Sequence, residues 1–110
     1  MKPVTFHKTA LAFIRSQSST IKKAFGEALR DIQKGLPLKM PLSKPMPSIY
    51  PGAYELRDGD EMKAVRVFYF VKYQDAILVF HAFEKRTQKT PQHESEMGRK
   101  KLKELLDGKK

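Results

Sequence analysis

The longest apolar stretch runs from Ala64 to Glu84, where Val67, Phe68, Tyr69, Phe70 and Val71 follow one another and Ile77, Leu78, Val79 and Phe80 do the same. Two runs rich in β-branched and aromatic residues, separated only by Tyr73, Gln74 and Asp75, predict a β-hairpin. Apolar residues occupy successive positions, so both faces of the sheet are expected to be covered. Upstream the period changes. Ile21, Ala24, Phe25, Ala28, Leu29 and Ile32 recur at helical spacing, Gly35 sits where a helix C-terminus needs a glycine, and Pro37 blocks continuation. A shorter helical pattern, Phe6, Ala10, Phe13 and Ile14, follows Thr5 as its cap. Only Gln17 to Thr20 separates the two patterns, which predicts an antiparallel helical hairpin.

Between Leu36 and Pro51 five prolines exclude both a helix and a central strand. This segment reads as an extended connector pinned by Leu38, Met40, Leu42, Met46 and Ile49. Gly52 then opens a strand over Ala53 to Arg57, and Asp58 to Glu61 turn the chain into the main hairpin, giving three antiparallel strands in sequence order. After Glu84, Thr90 is expected to cap a helix with Pro91 at its first position, running to about Leu106. Met97, Leu102, Leu105 and Leu106 give that helix a thin apolar face, and Gly98 weakens it, so docking must hold it. The expected fold is α+β: an N-terminal helical hairpin packed on a small antiparallel β-sheet with a C-terminal helix, one domain over residues 1–110.

Composition narrows the chemistry. The chain has 110 residues, no cysteine and three scattered histidines, so disulfides, thiolate chemistry, a metal site and a cofactor are not expected. Neither a membrane span nor a signal peptide is read from the pattern, which implies a cytoplasmic protein. The net charge is +10, concentrated in residues 1–34 and 84–110, while the predicted sheet is nearly neutral. Such a field favours a polyanion or an acidic partner.

Against the neutral sheet, Arg66 and His81 stand out as ionisable residues inside apolar strands, with Lys85, Arg86 and Lys89 at the strand exit. Read from its neighbours alone, Arg66 is a partly buried arginine paired with Glu55 or Glu84. His81, among Val79, Phe80 and Phe83, reads as a core histidine. The strings VRVFYF, HAFEKRTQKTP and LSKPMPSIYPGAYELR resemble the phage-derived HigB-like toxins of the RelE/ParE superfamily, over about residues 20–106. That resemblance implies a RelE-like fold and a toxin of a type II toxin–antitoxin pair, neutralised by a helix-turn-helix antitoxin and cutting mRNA on the ribosome.

Metal-independent RNA cleavage requires a 2′-hydroxyl to lose its proton, extra negative charge on phosphorus to be stabilised, and the leaving 5′-oxygen to be protonated. Under the resemblance, Arg66 and Arg57 are the phosphate-binding candidates, with Lys85, Arg86 and His93 completing the catalytic set. Lys89 holds the RNA backbone, and Tyr54 and Tyr69 offer surfaces for base stacking. Glu55 departs from the alternating basic residues that some superfamily members carry on the strand before the hairpin. Two other classes stay open: a non-enzymatic ParE-like toxin that inhibits gyrase by binding it, and a nucleic-acid-binding or partner-binding module without toxicity.

Overall fold

The computed structural model describes every residue except 37, 39–41, 61, 73–75, 87–88 and 109–110. Its elements are β1 (Val4–Phe6), α1 (Lys8–Arg15), α2 (Ser19–Gln33), β2 (Ser43–Pro45), β3 (Ala53–Gly59), β4 (Ala64–Lys72), β5 (Ala76–Glu84) and α3 (Gln92–Leu106). The strands form one five-stranded sheet in the order β1-β5-β4-β3-β2. β1 runs parallel to β5, and the other pairings are antiparallel.

This corrects the expected helical hairpin on a small antiparallel sheet. The chain opens with a strand, the sheet is mixed and dominates the molecule, and the helices that follow β1 are short. α1 packs on β5 and α2 on β3, so each helix has its main contact with a different strand and not with the other helix. The cause is a ladder between residues far apart in sequence. Thr5 and Phe6 pair with Leu78 and Val79, the Ile77 amide donates to the Pro3 carbonyl at 2.9 Å, and the His7 amide donates to Val79 O at 2.9 Å. Phe6 therefore belongs to the sheet, and the cap of α1 is His7, whose side chain accepts from the Thr9 amide. Local periodicity carries no record of such a partner.

Strand alternation sorts side chains onto two faces. On one, Leu56, Val65, Val67, Tyr69, Ile77 and Val79 pack against Ala10, Ile14, Ile21, Phe25 and Ile32 of α1 and α2. On the other, Ala53, Phe68, Leu78, Phe80 and Phe83 pack against Leu102 of α3. The expectation of two covered faces holds. A bulge between Phe68 and Tyr69 adds Phe80 to β5 without a partner, turning both Phe80 and His81 toward α3.

The proline-rich connector contributes a strand after all, β2, but at the sheet edge, where Pro45 costs no central ladder bond. Ile49 is buried and Leu38 and Met46 pack on the cores, whereas the Leu42 side chain is exposed and the residue is tied through its carbonyl, which accepts from the Arg57 amide at 2.8 Å; Met40 and the hairpin turn at residues 73–75 lie outside the described residues. Gly35 ends α2 in a left-handed conformation, φ 82°, as the pattern required. Gly98 has a different role from the expected weak point in the helix. A Cβ there would stand 2.8 Å from the Phe68 ring and 3.3 Å from Phe80, so the missing side chain lets α3 lie directly on the sheet.

Gly98→Ala should therefore destabilise, because overpacking against fixed rings costs about 1–3 kcal/mol and exceeds the ~1 kcal/mol gained in helix propensity. Gly26→Ala, at an exposed position of α2 with nothing within 4 Å, should stabilise by up to ~1 kcal/mol. Urea unfolding of the two variants checks the opposite signs.

Candidate functional site

Antiparallel register between β3 and β4 sets Arg57 directly opposite Arg66. Two like charges in that position repel, and the sequence supplies one compensating group. Glu55, two residues before Arg57, projects to the same face, and its Oε1 stands 3.8 Å from Arg57 Nε and 3.9 Å from Arg66 Nε. Its other oxygen, Oε2, accepts a hydrogen bond from the Thr90 hydroxyl at 2.6 Å. Glu55 is 1% exposed, so a fully buried carboxylate anchors two partly exposed guanidinium groups.

The pairing leaves donors unused. At 3.8 and 3.9 Å the Glu55 contacts are electrostatic and too long for hydrogen bonds, and both guanidinium Nε atoms are buried without a hydrogen-bond partner. Arg66 spends one terminal nitrogen on the Val65 carbonyl at 3.0 Å. Burial pushes its pKa down, with Glu55 opposing and Arg57 adding to the shift, yet a guanidinium stays charged at any physiological pH.

Lys85 joins this field. It leaves β5 with its amide bonded to Ala64 O, and its pKa is lowered by burial first, then by Arg66, against the pull of Glu55 and with further lowering from Arg57 and Lys44. Lys44 lies on β2 opposite Glu55 in register. Four cations thus surround one carboxylate, an arrangement suited to a phosphodiester, whose oxygens accept from several donors at once.

The other sequence candidates lie elsewhere. Arg86 is mostly exposed and pairs with Glu84 at 3.3 Å, and Glu84 also faces Lys63 at 3.8 Å. Lys89 is exposed in the segment leading to α3. His93, in the first turn of α3, is 69% exposed and faces Glu94 at 3.3 Å. Tyr54 and Tyr69 sit on the opposite face of the sheet, stacked at 5.4 Å, with the Tyr69 hydroxyl 2.7 Å from Ser43 Oγ. Their rings contribute to the α1/α2 core. His81 is the buried strut anticipated for it: Nε2 lies 2.7 Å from Glu94, and Nδ1 accepts from Lys101 at 3.1 Å. Burial lowers its pKa, so the neutral ring, donating through Nε2, ties β5 to α3.

Sequence reasoning placed Arg57, Arg66 and Lys85 together and offered Glu55 as a partner of Arg66, as the 3.9 Å contact has it, but missed the hold of Glu55 on Arg57 and the roles of Thr90 and Lys44. Glu55 was readable from its two-residue spacing to Arg57, which puts both on one face of a strand. Thr90 was expected to cap α3. The cap is instead Pro91, with no side-chain bond, because the Thr90 hydroxyl is engaged by Glu55. Among the described residues no cluster of histidine, aspartate and glutamate could hold a metal ion, and no helix is long and apolar enough to cross a membrane.

Residues 12–103 match the family profile described as phage derived protein Gp49-like (DUF891). Comparison with individually curated proteins found no match to this chain.

Glu55→Gln should leave Arg57 and Arg66 opposed without a counter-charge and cost ~3 kcal/mol of stability, the range for breaking one partner of a buried pair. Adding Arg57→Gln should recover part of that loss, since the repulsion goes with it. Urea unfolding across the double-mutant cycle measures the coupling.

Proposed function

Because this chain belongs to the phage-derived Gp49-like family, which is associated with RelE/HigB-like toxins, we propose that it is the toxin of a type II toxin–antitoxin pair and a metal-independent endoribonuclease acting on ribosome-bound mRNA. One observation supports the catalytic part above the others. Arg57 and Arg66 face each other across two strands, held by a buried carboxylate, with their side chains 32% and 14% exposed. Donors fixed before the substrate arrives need no reorganisation when charge develops on phosphorus.

In this reading Arg66 and Arg57 bind the scissile phosphate and stabilise the phosphorane. The 2′-hydroxyl loses its proton to water and attacks phosphorus; the bond to the 5′-oxygen breaks; Lys85 gives that oxygen its proton. The products are a 2′,3′-cyclic phosphate and a 5′-hydroxyl. Lysine suits the acid role because burial and neighbouring cations bring its pKa down from the ordinary range, easing proton release. Glu55, closed off from solvent, positions the arginines and does not touch RNA. Arg86, Lys89 and the +10 charge supply long-range attraction to the ribosome.

One observation favours the gyrase-binding alternative. Among the described residues, His7 and His81 are buried against Glu104 and Glu94, His93 is 69% exposed beside Glu94, and no contact brings any of the three to Arg57, Arg66 or Lys85. Primer extension on mRNA incubated with purified ribosomes separates the readings. Discrete cut sites support cleavage; intact mRNA with blocked supercoiling supports the alternative.

Arg66→Ala should lower the cleavage rate by about 10² or more while the fold persists. Arg66→Lys should restore only part, since an ammonium cannot reproduce the planar fork. An Arg66→Ala protein that melts normally and cuts at the wild-type rate would refute the assignment.

The acid role of Lys85 has a sign that can be read from pH. Activity requires the protonated amine, so the rate should fall as pH rises through its pKa, which burial and Arg66 lower from the ordinary lysine value. Lys85→Arg, which keeps the charge and cannot release a proton, should lose rate at neutral pH and lose that alkaline limb. A single-turnover pH profile with an unchanged limb in Lys85→Arg would place the acid elsewhere.

A further inference from the structure

The arginine cluster holds more positive charge than one phosphodiester can neutralise. Lys44, Arg57, Arg66 and Lys85 stand against the single carboxylate of Glu55, whose Oε1 faces the two arginines and whose Oε2 is taken by Thr90. Other nearby acids do not offset them. Asp58 alternates to the opposite face of β3 from Arg57, and Glu84 is paired with Arg86 and Lys63.

Strand register sets where the excess lies. Lys44 pairs with Glu55, which pairs with Phe68; Arg57 pairs with Arg66; and the Lys85 amide donates to Ala64 O. Measured along β4, the cations therefore stand level with residues 64, 66, 66 and 68 as the sheet is crossed from β5 to β2. They form a diagonal row across three strand spacings, about 14 Å. Lys44 is its outer end. It is exposed, and among the described residues it has no acidic side chain within salt-bridge distance, yet its charge is felt at Lys85. Edge-strand lysines commonly serve to block further strand pairing. That service requires neither a place in a cation row nor a face shared with one, and Lys44 has both.

The proposed chemistry gives the row a direction. Lys85 protonates the leaving 5′-oxygen, which belongs to the nucleotide on the 3′ side of the cut. The 3′ side then lies toward β5 and the 5′ side toward β2. We infer that Lys44 binds the phosphate one nucleotide 5′ to the scissile one, so that a single RNA strand crosses the cluster from β2 to β5 in the 5′ to 3′ direction. The polarity rests on the cleavage reading above; the phosphate contact rests on register and charge.

The test uses the full chain, isotope-labelled for NMR, and 2′-O-methyl dinucleotides, which cannot be cleaved, carrying a 5′-phosphate, a 3′-phosphate or neither. Amide shifts should centre on Arg57 and Arg66 with all of them. The 5′-phosphate should tighten binding about threefold and shift the Lys44 amide, and Lys44→Ala should abolish that gain while leaving the gain from the 3′-phosphate intact. Lys44→Arg should keep the gain, because the charge stays, and Lys44→Glu should turn it into a loss. Position 44 is exposed, and circular dichroism confirms the fold of each variant. An undiminished 5′-phosphate gain in Lys44→Ala, loss of the 3′-phosphate gain in its place, or no binding of any dinucleotide would overturn the inference. Cleavage is read separately, by primer extension on ribosomes. Cut sites without a Lys44-dependent gain sink the contact and leave the nuclease standing; the gain with intact mRNA keeps the contact and sinks the nuclease.

Discussion

Glu55 is held at the centre of the cationic end of the sheet, 3.8 and 3.9 Å from two guanidinium groups that strand register forces to face each other. Without that carboxylate, the register that aligns the apolar residues of β3 and β4 would also align two positive charges with nothing between them. Register cannot slip to relieve the repulsion, because a one-residue shift would turn Leu56, Val65 and Val67 out of the α1/α2 core. The apolar pattern therefore imposes the opposed arginines, and the buried acid makes them tolerable.

Thr90 extends that dependence beyond the sheet. Its hydroxyl reaches Glu55 from the segment between β5 and α3, so the carboxylate couples the cluster to the approach of the last helix. α3 is then fixed by the close contact at Gly98, by Leu102 in the core, and by two histidine–glutamate bridges, His81 to Glu94 and His7 to Glu104. The His7 bridge lowers the pKa of Glu104, which favours its charged form at neutral pH. A helix with few apolar residues is thus seated by shape and specific bonds more than by area.

The hairpin, the main helix α2 with its glycine end, and the last helix were legible because each rests on local period and end signals. The architecture was not. β1 owes its existence to Ile77, Leu78 and Val79, about seventy residues on, and the Phe6 that pairs there also fits a helical stripe when read locally. β2 was hidden by prolines that exclude a central strand and permit an edge. At the site, Arg66 announced itself as a charge within apolar residues, and Lys85 by position. Glu55 was visible as an acid in an unexpected place, but its burial and its hold on Thr90 belong to tertiary structure. Tyr54 and Tyr69 show the limit of residue type as a guide: an exposed stacking tyrosine and a core tyrosine read alike until strand register assigns the face.

The position of the cluster follows from where apolar cover ends. Phe68, Phe80 and Phe83 carry α3, and Phe83 pairs directly with Arg66 across β4 and β5. One step further, β5 exits at Lys85, and the chain crosses the end of the sheet before α3 begins. Side chains there are half-buried: dry enough to push the pKa values of Arg66 and Lys85 down, open enough for a phosphate to enter. Deeper burial would make four cations on one carboxylate untenable, and full exposure would let water satisfy the Nε donors and screen the charges. The margin between those limits is narrow, and the Thr90 hydroxyl, one residue before the cap of α3, helps to fix the carboxylate within it.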